Sequence, residues 1–371
     1  MSDAAIISDA SIDAVGDHFL VGLRPTPVLH ELDRALLRDL KPAGVILFKS
    51  NFCHDLPYAA WLESHRRLIG EVLEATGRSR MFIAVDHEGG RVCRTPPPIT
   101  RFAYAADYAS NAAEVGRAMG RELASLGFNL NFAPVLDIHT NKDNPVIGPR
   151  AYGGTAEAVI AAALPFMRAL EAEKILACGK HFPGHGDTNV DSHFGLPSLG
   201  LDLEALRLRE IRPFAAAIRA GARMLMTSHI LFPGIDADAP VTLSRRFATD
   251  LLRDELGFDG VVVSDDIGMG AMTDFFGAAD AAARFLSAGC DMLVVCAHFT
   301  LVDRARGFAE AILSAAADGR LDSDVLARSR RRIRALLDQM PMNEIHQLPE
   351  SVFFEHREAG ASYESPTAEV V

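Results

Sequence analysis

The stretch SRRFATDLLRDELGFDGVVVSDD, Ser244 to Asp266, holds one whole unit of the architecture. Ser244–Leu256 carries the apolar spacing of an amphipathic helix, and Gly257 follows it as a helix C-cap. Gly260–Ser264 is a short apolar run rich in β-branched residues, the composition of a buried strand. The run then breaks onto two carboxylates, Asp265 and Asp266. Helix, glycine, strand and ionisable end recur along the chain.

The spacing predicts eight strands: Phe19–Leu23, Gly44–Phe48, Met81–Val85, Asn129–Leu136, Ile175–Lys180, Met224–Ser228, Gly260–Ser264 and Asp291–Val295. Between them lie helical patterns at Ala112–Leu126, Glu157–Glu173, Leu203–Ala220, Ser244–Leu256 and Ala278–Ala288. Pro165 falls inside the second of these, so a kink or a later start is expected there. Gly127, Gly221, Gly257 and Gly289 fit helix C-caps. Eight strand–helix repeats predict parallel strands closed into an α/β fold, a (β/α)8 TIM-type barrel forming a single domain over residues 1–340. A doubly wound open sheet is the competing topology. Ser323–Gln339, rich in arginine, is the last barrel helix. Residues 341–371 read as an appended tail, ordered only where it docks on the body or on a second subunit.

The chain has 371 residues, 49% of them hydrophobic and 23% charged, enough for one large core with a hydrated surface. A net charge of −12 argues against nucleic-acid or anionic-membrane partners, both of which need basic surface. The five cysteines are irregularly spaced, and Cys178, Cys290 and Cys296 lie in apolar runs, which favours a reducing, cytoplasmic setting. The first residues lack the basic and apolar regions of a signal peptide, and no apolar run approaches the ~18–20 residues needed to span a bilayer.

In such barrels the chemistry sits at the C-terminal ends of the strands. Strand three runs into Asp86-His87-Glu88-Gly89-Gly90-Arg91, strand four into Asp137, strand five into Lys180-His181, strand six into His229 and strand seven into Asp265-Asp266. A carboxylate held at that mouth can attack an electrophilic carbon. Asp265 and Asp266 compete for this part, the other serving as a cap for the next helix. Alternation does not separate them, because buried parallel strands are apolar on both faces.

The segment KHFPGHGDTNVDSHFGLP, Lys180–Pro197, gathers three histidines and two aspartates around Pro183, Gly184 and Gly186, so it reads as a loop. In the extended triplet Asp191-Ser192-His193 the carboxylate and the imidazole project to one side. The aspartate there would orient a histidine able to give and take a proton near neutrality. His185 and Asp187 are expected to hold the loop in shape through backbone bonds. Lys180 and Arg150 are long donors suited to hydroxyl or acyl oxygens, and Asp86 can accept from two sugar hydroxyls. Asp86 would otherwise pair with Arg91 or Arg94. A metal held by His181, His185, Asp187 and His193 is disfavoured, since Pro183-Gly184 denies the helical spacing of paired ligands. No metal or cofactor is expected.

DHEGGRV (Asp86–Val92), KHFPGHGDTNVDSH (Lys180–His193) and VVVSDD (Val261–Asp266), in this order, resemble the glycoside hydrolase family 3 β-N-acetylhexosaminidases. More narrowly they are similar to the single-domain bacterial β-N-acetylglucosaminidases of peptidoglycan recycling. The likeness covers about residues 15–338. It implies a (β/α)8 barrel, with Asp265 as nucleophile, His193 as acid/base on a mobile loop and Asp191 as its dyad partner. It further implies Asp86, Arg94, Arg150, Lys180 and His181 as sugar-binding residues. Relatives with broader β-glucosidase activity lack the Asp-Ser-His dyad and carry a glutamate acid/base in a second domain. Cys93, within the segment after DHEGGRV, and the GPRAYGG setting of Arg150 depart from the family pattern.

The reading is a retaining exo-β-N-acetylglucosaminidase acting on a small carbohydrate, a muropeptide of the GlcNAc-1,6-anhydroMurNAc type or a chitooligosaccharide. The protein would be a monomer or homodimer without nucleic-acid or membrane partners. A β-N-acetylglucosaminide phosphorylase, a broader β-glycosidase, a metal-dependent barrel hydrolase and a non-catalytic sugar-binding protein are the alternatives.

Overall fold

The computed structural model describes residues 11–191, 195–269, 272, 278–296 and 304–360. The eight strands are β1 Phe19–Gly22, β2 Gly44–Leu47, β3 Phe82–Val85, β4 Leu130–Asn131, β5 Leu176–Phe182, β6 Met224–Thr227, β7 Val261–Asp266 and β8 Met292–Val295. Each pairs in parallel with the next, and β1 pairs with β8, so the sheet closes into a barrel. The open-sheet alternative is thereby excluded.

Alternation along the strands sorts the core into two shells. Leu20, Ile46, Phe82, Ala84, Leu176, Cys178, Met224, Met226, Val261, Val263, Met292 and Val294 fill the barrel. Phe19, Val21, Val45, Ile83, Ala177, Leu225, Val262 and Leu293 face outward onto the helices. The residues therefore follow a period of two although both faces are apolar. Ile333, Leu336, Leu337 and Met340, from the last barrel helix and the residues after it, join the interior set. They stop the N-terminal end of the barrel. The same helix supplies three of the five arginines that surround two buried carboxylates. Asp17 receives Arg78, Arg330 and Arg334 at 2.6, 3.0 and 2.7 Å. Asp291 receives Arg253 and Arg332 at 2.5 and 2.8 Å.

Gly127, Gly221, Gly257 and Gly289 all adopt positive φ after their helices. Pro165 lies within a continuous helix, Ala156–Ala172, whose start is fixed by Thr155 capping the Ala158 amide. That helix does not begin late. The Leu203–Ala220 pattern is instead two helices, Leu203–Leu208 and Ile211–Arg219. Pro213 has no N–H for the Arg209 carbonyl, and its ring crowds that position. The Ser244–Leu256 pattern is a helix over Arg246–Glu255 wound more loosely, with the Leu256 amide reaching back to Leu251 at 2.9 Å. β4 is shorter than the expected Asn129–Leu136. Beyond it the chain stays beside β5, where Cys178 and Lys180 donate to the carbonyls of Ala133 and Pro134.

Residues 341–360 continue on the barrel surface. His346 donates to the Ser125 carbonyl at 2.9 Å, and Phe353 meets the Tyr58 ring edge-on. His356 Nδ1 lies 2.7 Å from Glu122 Oε1. Residues 361–371 of the tail lie outside the described residues.

Candidate functional site

The interior parity of the strands continues past their C-terminal ends. Phe82 and Ala84 point into the barrel, so Asp86 and Glu88 fall in the same series; Leu176 and Cys178 lead to Lys180; Val261 and Val263 lead to Asp265. β7 shifts register against β8 between Val263 and Asp266, at the point where the two aspartates part.

Lys180 Nζ lies 2.7 Å from Asp86 Oδ1 and 2.6 Å from Glu88 Oε1. Arg150, at the end of the Gly148–Arg150 turn, donates Nε and Nη2 to the two oxygens of Glu88, each at 2.8 Å. Asp86 is thus paired with Lys180, neither with Arg91 nor with Arg94. Arg91 bonds the Val146 carbonyl, and the Arg94 guanidinium stands 5.8 Å from the Phe48 ring centre. Arg94 Nε is buried without a hydrogen-bond partner among the described residues. Lys180 is buried and Arg150 largely so, and neither is a solvated surface charge.

The turn behind this cluster needs its glycines. Gly89 and Gly90 have φ of 108° and 56°. A side chain at Gly89 would strike the Ala103 carbonyl and one at Gly90 the Tyr104 ring, at 2.2 and 2.1 Å. Asn131 fastens the end of β3, accepting from the His87 amide at 3.0 Å and donating to its carbonyl at 2.8 Å.

Asp137 organises the end of β5. Its Oδ2 is 2.7 Å from His181 Nδ1, and its Oδ1 accepts from the amides of His181 and His185 at 3.2 and 2.7 Å. Burial works against the Asp137 carboxylate, yet His181 holds its pKa below the ordinary value. His185 and Asp187 both help to hold the loop in shape. His185 Nδ1 meets Thr188 Oγ1 at 2.7 Å. Asp187 accepts from Thr140 Oγ1 at 3.1 Å and from Arg209 at 2.7 Å. A side chain at Gly186 would lie 1.7 Å from the Ile138 carbonyl, so the second glycine of the motif allows two loops to touch. Among the described residues no group of three or more histidines, cysteines, aspartates or glutamates is disposed to hold a metal ion.

The two aspartates of β7 differ in what they hold. Asp266 Oδ1 accepts from the amides of Gly268 and Cys296 at 2.9 and 3.0 Å, which ties the end of β7 to β8. Burial raises its pKa. Asp265 Oδ1 accepts from the Asp266 amide at 2.8 Å, its sole side-chain hydrogen bond among the described residues. Burial also opposes the Asp265 charge, but His181, His229 and Lys180 together bring its pKa below the ordinary value. Asp265 is therefore an ionised carboxylate with lone pairs to spare. His229, on the loop after β6, is buried, with Nδ1 2.8 Å from Thr242 Oγ1 and Nε2 3.1 Å from the Asp266 carbonyl.

Asp191 closes the described part of the β5 loop, its carbonyl accepting from the Gly195 amide at 3.2 Å. His193 lies outside the described residues. Glu88 is the site residue that sequence reasoning passed over; its spacing of two from Asp86 was the available signal.

Residues 23–336 match the glycosyl hydrolase family 3 N-terminal domain. The chain is 39% identical over 281 residues to a Beta-hexosaminidase of Methylococcus capsulatus, covering 73% of this chain and 80% of that one. It spans about half, 54%, of the Beta-hexosaminidase A of Pseudoalteromonas piscicida, at 34% identity over 81% of this chain. A family 3 β-N-acetylglucosaminidase from Paenibacillus sp. str. FPU-7 superimposes with a TM-score of 0.83 at 32% identity, covering 94% of this chain and 68% of that one. NagZ from Neisseria gonorrhoeae, solved with N-trifluoroacetyl-D-glucosamine, matches at a TM-score of 0.68 and 29% identity, over 86% of this chain and 98% of that one. The chain belongs to glycosyl hydrolase family 3, in the branch whose named members are β-hexosaminidases.

Proposed function

We propose that this chain is a retaining exo-β-N-acetylglucosaminidase that removes terminal β-linked N-acetylglucosamine from a small carbohydrate. Asp265 attacks C1 of the sugar while protonated His193, oriented by Asp191, gives its proton to the departing oxygen. Water, deprotonated by the same His193, then opens the glycosyl-aspartate and returns the enzyme to its starting state. The observation that carries the reading is the state of Asp265, charged, partly buried at the mouth and, among the described residues, bonded to a single neighbouring amide. The part given to His193 rests on the Asp-Ser-His motif and the family likeness.

Sugar recognition falls to Asp86, Lys180, Arg150, His181 and Arg94. The orphaned Arg94 Nε fits a site awaiting an oxygen ligand. The relatives' names support an N-acetylhexosamine as the sugar, and the muropeptide aglycone and peptidoglycan recycling follow from the family likeness. Five unpaired cysteines fit a reducing, cytosolic setting. No helix among the described residues is long and apolar enough to cross a membrane.

Phosphate in place of water is the second reading, since a neutral imidazole does not repel an incoming anion. The charge balance limits the pull on phosphate: Arg150 and Lys180 are matched by Glu88 and Asp86, which leaves Arg94 as the remaining cation of the sugar site. The test follows the anomer released from a β-linked N-acetylglucosamine disaccharide by NMR, with and without added phosphate. The expected first product is β-N-acetylglucosamine in both. An α first product defeats the retaining mechanism, and N-acetylglucosamine 1-phosphate would move the chain to the phosphorylases.

A further inference from the structure

We propose that Glu88 is the positioning residue of the sugar site, a buried counter-ion that holds Arg150 and Lys180 in the arrangement that meets the substrate's oxygens. The inference rests on the sugar-site reading above and adds a residue that does not itself touch the sugar.

The backbone fixes Glu88 before any cation reaches it. Its amide donates to the Val92 carbonyl at 2.9 Å, and its carbonyl accepts from the Tyr108 hydroxyl at 2.7 Å. The next two residues are the glycines whose turn no side chain would fit. The carboxylate therefore stands at a set place behind the mouth. Asp86, with 20% of its side chain exposed against 5% for Glu88, lies between it and solvent.

From that place Glu88 decides which donors remain. A guanidinium carries about five N–H groups and an ammonium about three. Glu88 takes Nε and one Nη2 hydrogen of Arg150, and the Val146 carbonyl takes an Nη1 hydrogen at 3.2 Å. Lys180 gives one hydrogen to Asp86, and its ammonium stands against Glu88 Oε1 at 2.6 Å. The hydrogens left over are those free to meet a ligand, and their directions follow from the bidentate bond. A planar fork locked on both oxygens of one carboxylate has no freedom to turn.

Charge acts in the same sense. Burial works against the Lys180 ammonium, but Asp86 and Glu88 hold its pKa above the ordinary value against the repulsion of Arg150. Arg150 and Lys180 in turn keep Glu88 ionised despite its burial. Without Glu88 two neighbouring cations would share one remaining partner, Asp86, and Lys180 would be drawn from its place. Loss of the charge should thus act through the cations.

The test compares Glu88→Gln, which keeps the shape and removes the charge, with Arg150→Ala, Lys180→Ala and the double variant Glu88→Gln/Arg150→Ala. N-acetylglucosamine binding is read by calorimetry, KM and kcat with an aryl N-acetylglucosaminide, and folding by circular dichroism. Glu88→Gln is expected to weaken binding and raise KM about 100-fold, as misplaced contacts do, with a smaller fall in kcat. The double variant should lose clearly less than the product of the two single losses, because Glu88 acts partly through Arg150. Normal binding by Glu88→Gln beside weak binding by Arg150→Ala and Lys180→Ala overturns the inference and spares the sugar site. So do losses that multiply in the double variant. Normal binding by Arg150→Ala and Lys180→Ala sinks the sugar-site reading, and the inference with it. Should Glu88→Gln not fold, Glu88→Asp, which keeps the charge but withdraws it by one methylene, is put through the same comparison with the same expected rise in KM.

Discussion

The two ends of the barrel pair carboxylates with cations in different ways. At the N-terminal end the carboxylates are innermost: Asp17 and Asp291 are buried and ringed by arginines that reach in from the rim, Arg334 with 55% of its side chain exposed. At the C-terminal mouth no such order holds: Lys180 and Glu88 are innermost together, at 3% and 5% exposed, and Arg150 and Asp86 lie nearer to solvent. Each lower carboxylate carries arginine partners on both oxygens, so neither has a free acceptor to offer a ligand. The upper cluster keeps donors on Arg94 and lone pairs on Asp265 without protein partners among the described residues. Ion pairs of one kind thus do two jobs. Those below join the last helix to the strand ends, and those above prepare a site.

Substitutions at the two ends should separate stability from turnover. Asp265→Ala is expected to lower kcat/KM by on the order of 10⁴-fold or more with the melting temperature held, as for loss of a nucleophile. Asp266→Ala, which frees the β7–β8 tie, should cost stability more than chemistry; the reverse pattern exchanges their parts. His193→Ala is expected to lose about 10²–10⁴-fold on sugar leaving groups and much less on an activated aryl group, which needs no proton. Equal losses on both would remove the acid role.

A second contrast is one of pH. Glu210, buried beside Gly184 and bonded to Arg209, has its pKa raised to about 7 by burial, which outweighs the arginine. A carboxyl raised in the folded state adds stability below its unfolded value near 4.5, and that stability is lost as pH rises through about 7. The loss should approach about 3 kcal/mol, and Glu210→Gln should flatten the stability profile between pH 4.5 and 7. An unchanged slope would place the titration elsewhere.

Asp17 is the mirror case at the other end. Burial opposes its charge, but Arg78, Arg334 and Arg330 lower its pKa to about 2. Its contribution, about 2 kcal/mol, is present above the unfolded value near 3.8 and lost as pH falls through about 2. Asp17→Asn should therefore lower the melting temperature by a few degrees at neutral pH and leave kcat/KM unchanged. A fall in kcat/KM would mean that the two ends are coupled.

The barrel was legible because its signals are local. Each strand is a short apolar run, and each glycine cap stands at a helix end, so all eight strands lie where the sequence placed them. Boundaries that depend on one residue's missing donor were harder, and Pro213 splits a helix that Pro165 in its own helix does not. Asp265 and Asp266 were inseparable by pattern because Val261, Val262 and Val263 are apolar on both faces. Only the closed barrel divides Val261 and Val263 inside from Val262 outside. Glu88 stayed hidden for a related reason. Its partners lie 62 and 92 residues away along the chain, and nothing in DHEGGR announces that Arg150 and Lys180 will meet there. Likewise Asp137 gained its meaning when the β5 loop folded onto it.

The most direct measurement traps the covalent intermediate. Incubation with an activated fluoro-sugar analogue of N-acetylglucosamine, digestion and peptide mass spectrometry should find the sugar esterified to Asp265. A sugar attached to Asp266 or another residue, or a competent enzyme that forms no adduct and releases inverted product, would contradict the account.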